Sequence, residues 1–121
     1  MREITSHIVD GDDKPQLSIR ATDEPGSGGA NHRYEISGSD GHVLCVVSFQ
    51  NGGVAEVGGW NGVSHEALLA IVADRLTSFQ GGPFAAQENA TALSNVNNAQ
   101  RALQQRTLKR IARGVEGKSV A

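Results

Sequence analysis

Aromatic residues make up only 4% of this 121-residue sequence: three Phe, one Tyr and one Trp. With 38% hydrophobic residues, a single chain can assemble only a modest core. Small domains in that position often complete their cores by oligomerising. Cysteine occurs once, at Cys45 in the run VLCVV, which excludes an intramolecular disulfide and suits a reducing compartment. No apolar run approaches the ~20 residues that cross a bilayer, and no secretory-signal pattern opens the sequence, so a soluble, cytoplasmic protein is expected. The length allows one domain, or a small sheet with a helical appendage.

Reaction motifs are equally scarce. The four histidines (His7, His32, His42, His65) are scattered, with no partner at metal-ligand spacing, so no metal or other cofactor is expected. There is no C-x-x-C, P-loop, G-x-G-x-x-G or G-x-S-x-G. The paired acids Asp12-Asp13 and Asp23-Glu24 lie in turn-rich loops, and no hydrolase or transferase constellation can be assembled. A protein that is not an enzyme is the expectation. The glycine-rich segment 58–62 could present backbone N–H groups to an anion; a tight strand-to-helix connection anchored by Trp60 is the simpler reading.

What the sequence does have is a long helix. Residues 87 to 116 contain no proline and no glycine before Gly114, and they are rich in Ala, Leu, Gln and Arg. A helix of about 27 residues would be roughly 40 Å long. Its apolar stripe (Ala86, Ala90, Leu93, Val96, Leu103, Ile111) is thin and is interrupted by Asn89, Gln100, Thr107 and Arg110. Charge is unevenly divided: residues 1–100 hold five basic and twelve acidic side chains, residues 101–121 six basic and one acidic. Cations near a helix C-terminus complement its dipole, which accounts better for Arg113 and Lys118 than for Arg106 and Arg110.

Ahead of that helix, residues 2–49 have strand character. Alternation at Ile4-Ser6-Ile8, Leu17-Ile19-Ala21 and Tyr34-Ile36 precedes a more continuous apolar run over 43–49. Turn chemistry separates them. An antiparallel meander follows, with 43–49 as its expected central strand, a further short strand over 54–57, and a mobile loop over 24–31. Ser64 is placed to cap a helix of about 16 residues whose apolar face is Ala67, Leu68, Ile71, Val72, Leu76 and Phe79, and Gly81-Gly82-Pro83 ends it. The expected fold class is α+β: a small antiparallel β-sheet (1–60), then a long α-helical hairpin (61–121) for ligand binding and oligomerisation.

Within the hairpin, Arg106 and Arg110 are four apart and share a helix face, where two guanidinium forks suit phosphate oxygens. Asn89 carries the donor and acceptor that an adenine edge requires, and Phe79 offers a ring for stacking. Arg75, one turn before Phe79 on the same face, is a further candidate. Alternatively Phe79 is core and Asn89 caps the second helix. Asn89 and Arg106 are 17 residues apart, roughly 25 Å along a straight helix, so one small nucleotide reaches both only if a second copy packs antiparallel.

Residues 61–93 (NGVSHEALLAIVADRLTSFQGGPFAAQENATAL) and 101–118 (RALQQRTLKRIARGVEGK) resemble the Thoeris anti-defence one family of phage proteins. The most specific pieces are DRLTSFQGGPF, ENATAL and RTLKRIARGVEG, and the helical hairpin is similar to that of the anti-CBASS two family. The resemblance implies a non-catalytic sponge acting in the host bacterial cytoplasm. It would hold cyclic nucleotide messengers, chiefly glycocyclic ADP-ribose and in some members cyclic trinucleotides, in pockets shared within a homodimer or homohexamer. The family's contacts carry over onto Phe79, Asn89, Arg106 and Arg110. The competing readings are a nucleic-acid-binding accessory protein using the basic helix and a purely structural oligomerising hairpin. The acidic remainder and low aromatic content argue against nucleic acid.

Overall fold

The computed structural model describes residues 1–121 and divides into two compact units, 1–63 and 64–120. In the first, strands β1 (Arg2–Ile4), β2 (Ser18–Ala21), β3 (Arg33–Ser37) and β4 (Val43–Ser48) form an antiparallel meander in the order β1-β2-β3-β4. Directly opposed residues share a face. Ile4, Ile19, Ile36 and Cys45 line one face, flanked by Ala21, Tyr34 and Val47. The other carries Glu3, Arg20 and Glu35, an alternating charge ladder across three strands. Tyr34 meets Phe49 edge-on, centroids 5.8 Å apart.

Several local expectations are corrected. The run 43–49 is not central: β4 is the edge of the sheet, with Leu44 65% exposed. Its continuous apolar pattern arises from a bulge. Ile36 faces Cys45 while Ser37 faces Val43, so Leu44 is the extra residue and the alternation is interrupted. The outer edge at Phe49 is covered by a parallel bridge to Val63, whose amide donates to the Ser48 carbonyl at 2.8 Å. Strand β1 stops at Ile4 because Thr5 begins a turn closed by Ile8 N–H to Thr5 O (3.0 Å), so Ser6 and Ile8 lie outside it. Residues Val54–Val57 form a helical turn (α1) rather than a strand. The amides of Glu56 and Val57 both donate to Gly53 O (2.9 and 3.0 Å), and Gly58 at φ 82° reverses the chain.

Trp60 does not anchor the connection, being 68% exposed. Amide side chains do that work. Asn61 accepts from the Asn51 amide and donates to the Asn51 carbonyl, both at 2.8 Å, like a neighbouring strand. Gln50 accepts from Asn61 N–H at 2.7 Å and donates to Gly52 O and Gly59 O. The loop 24–31, expected to be mobile, contains a 3-10 turn (Ser27–Gly29) that is pinned. Ser27 N–H donates to Asn51 Oδ1 (3.2 Å), and the Asp23 carboxylate accepts from the His32 and Arg33 amides (2.9 and 3.2 Å). The His32 amide, then that of Arg33, holds the Asp23 carboxyl below its usual range, with desolvation opposing.

The second unit is a helical hairpin: α2 (His65–Gln80) and α3 (Gln87–Arg113), 16 and 27 residues long. Ser64 Oγ accepts from Ala67 N–H at 3.1 Å, and the Gly81 amide returns to the Thr77 and Ser78 carbonyls. Gly114, at φ 74°, ends α3 with Val115 N–H on Arg110 O (3.0 Å). Of the expected apolar faces, Leu68, Leu76, Phe79, Leu93, Val96 and Leu103 are half-buried. Ile71, Val72, Leu108 and Ile111 are exposed.

Two outcomes follow for the sheet unit. A Cβ on Gly62 would lie 2.4 Å from the Phe49 carbonyl carbon, so Gly62→Ala should lower stability by about 1–3 kcal/mol, read as a reduced urea midpoint. The Asp23 carboxyl is lowered in the folded state, so its contribution is present above the ordinary carboxylate range and lost as pH falls through the lower folded value. The change that Asp23 protonation makes in the Arg33 amide chemical shift should come only below about pH 4, the ordinary carboxylate midpoint.

Candidate functional site

The end of α2 and the turn into α3 enclose an open groove of about 540 Å³, within the range of small-molecule sites. Ile71, Arg75 and Phe79 line it from α2, four residues apart and therefore on one face; Pro83 and Phe84 line it from the turn. The Arg75 guanidinium stands over the Phe79 ring, 4.9 Å from its centroid. Phe79 and Phe84 meet at 62° with centroids 6.5 Å apart. Phe84 is 72% exposed, so one of the two rings is open to a ligand. A cation stacked on one ring beside a free second ring offers a planar, electron-rich group two kinds of contact.

The turn that sets this geometry is built from polar contacts. Gln80 Oε1 accepts from the Ala86 amide (3.0 Å), which takes the place of a side-chain cap at the start of α3. Asn89 lies inside the first turn of α3, half-buried, and its Nδ2 donates to the Phe84 carbonyl at 3.3 Å. It therefore positions Phe84, and its Oδ1 remains available as an acceptor. Asp74 sits in the same groove as Arg75, so the lining carries both signs of charge. The only hydroxyl there, Ser78, donates to the Asp74 backbone carbonyl (3.1 Å).

The two candidate arginines of α3, Arg106 and Arg110, are placed apart from this groove and differently from each other. Arg106 is exposed. Arg110 is 6% exposed, and its guanidinium is turned onto the residues after the helix. Nη2 donates to Val115 O (3.0 Å) and Lys118 O (2.7 Å), Nη1 to Val120 O, and Nε faces the Glu116 carboxylate at 3.4 Å. Gly114 and Gly117, both at positive φ, shape this hook. Although one helical turn apart, the two guanidiniums do not form a paired fork within this chain.

Of the residues expected to make the site, Arg75 and Phe79 line one groove and Asn89 is one hydrogen bond from it; Arg106 and Arg110 lie towards the other end of α3. Phe84 and the hook residues were missed. An aromatic directly after Gly-Gly-Pro, and a second glycine three residues beyond Gly114, were the available signals.

No family model matches the chain. It is 41% identical over 92 residues to Thoeris anti-defense 1 of Bacillus phage SBSphiJ7, a match that covers 76% of this chain and 63% of that protein. The chain thus spans just under two thirds of the relative's length.

The contrast between the arginines is directly measurable. Arg110→Ala removes the donors that gather the hook and should lower the unfolding free energy by about 1–3 kcal/mol, whereas Arg106→Ala should leave it within about 0.5 kcal/mol. Urea titrations of the two variants compare them.

Proposed function

Over the region matched by its phage relative, the chain belongs to the Thoeris anti-defence one family, and on that premise we propose that it is a phage anti-defence sponge. It binds a cyclic nucleotide immune messenger, glycocyclic ADP-ribose or a related cyclic di- or trinucleotide, and withholds it from its effector without cleaving it. The observation that carries this reading is the groove at the helical turn. Arg75 stacked on Phe79, the open ring of Phe84 and the adjacent Asn89 amide together suit an adenine base. Binding without hydrolysis fits a groove whose one hydroxyl is engaged with its own helix.

The phosphate half of the ligand meets a second copy of the chain. Asn89 and Arg106 are too far apart to touch one nucleotide in cis. The exposed Ile71, Val72, Leu108 and Ile111 supply the apolar surface along which two hairpins pack antiparallel. Arg106 of one protomer then faces Phe79 and Asn89 of its partner, in a homodimer or as part of a homohexamer.

Calorimetry with glycocyclic ADP-ribose, cyclic di- and trinucleotides should find a tight ligand that is released chemically intact on heating. Its affinity should depend only weakly on salt, where a nucleic-acid binder would show a steep dependence. Arg106→Ala should weaken binding about 10- to 150-fold, and Arg106→Lys should also be costly because an ammonium lacks the fork. In the isolated heterodimer of a Phe79→Ala, Asn89→Ala chain with an Arg106→Ala chain, one of the two pockets is whole, so tight binding should return at about half the wild-type stoichiometry. No recovery, with mixed dimers confirmed, would rule out sharing.

A further inference from the structure

We propose that the C-terminal hook, residues 114–120, is a strap that competes with the anionic part of the ligand for Arg110; this rests on the sponge reading above. A phosphoryl group is gripped by parallel N–H donors of one guanidinium. Here those donors are occupied. Nη2 serves the Val115 and Lys118 carbonyls, Nη1 serves Val120, and Nε faces Glu116. In this arrangement Arg110 has no free fork to offer, and its 6% exposure keeps an anion from approaching it.

The acceptors on the hook are mostly neutral carbonyls. A phosphate offers ionised oxygens, whose hydrogen bonds to a guanidinium are roughly twice as strong, so exchange is favourable once the anion arrives. Two backbone bonds also run through the strap, Val115 N–H to Arg110 O (3.0 Å) and Lys118 N–H to Val115 O (3.1 Å), while Lys118 is exposed and Val120 is 45% exposed. The strap's path depends on Gly117 at φ 77°, a conformation L side chains rarely adopt. Arg106, one turn earlier and already exposed, makes the first contact with the anion; release of the hook then adds Arg110. The fraction of chains with the hook open scales the apparent affinity.

The test compares the full chain with Gly117→Ala and Glu116→Gln, using glycocyclic ADP-ribose as the probe. Gly117→Ala strains the closed hook and should tighten binding about five- to tenfold. Glu116→Gln, which keeps the backbone free of strain, should tighten it about twofold. Hydrogen exchange at the Lys118 amide should accelerate when wild-type protein is saturated. Equal or weaker binding by both variants, with Lys118 still protected in the complex, overturns the strap and leaves the groove reading intact. Absence of binding by all three chains overturns the groove reading and the strap together.

Discussion

Only one apolar residue, Ala21, is withdrawn almost completely from water, and no large side chain is. Every other feature follows from that constraint. With so little apolar area buried per chain, order in the turns comes from hydrogen bonds: Asn61 on Asn51, Asp23 on His32 and Arg33, Gln80 on Ala86, Arg110 on the hook. Such bonds are modest individually but costly to leave unmade, so they fix geometry more than they add stability. On the hairpin, Ile71 and Ile111 stay exposed and add little to the buried apolar area.

The helices were legible because their signals are local. A serine at 64 and glycines at 81 and 114 satisfy orphan amides and carbonyls within one turn, so both lengths could be read before the fold was known. The antiparallel layout was legible too, from alternation and turn residues. The position of β4 was not. An apolar run looks alike in a central strand and in an edge strand carrying a bulge, and only pairing distinguishes them. Residues 54–57 have good strand formers, but two glycines outweigh propensity there by closing a helical turn.

The candidate site divides along the same line. Arg75 and Phe79 sit four apart on one helix, so their stacking was within reach of sequence reasoning. The partnership of Phe79 with Phe84 depends on the angle of the connecting turn, which Gln80 and Asn89 set through backbone contacts. Helical spacing placed Arg106 and Arg110 on a common face but could not tell which would be solvated. That was decided by a chain reversal beyond the helix, where two glycines bring three carbonyls within range of one guanidinium.

Trp60 and Tyr34 are the only indole and phenol in the protein, and both belong to the sheet unit. The hairpin absorbs in the near ultraviolet only through phenylalanine. Trp60 is already largely hydrated in the folded state, so its emission is set close to that of an unfolded chain. Intrinsic fluorescence is consequently a poor witness to this molecule: it under-reports melting of the sheet and is silent on melting of the helices. An indole introduced at Phe84, with its open ring position, would give the groove an optical label of its own.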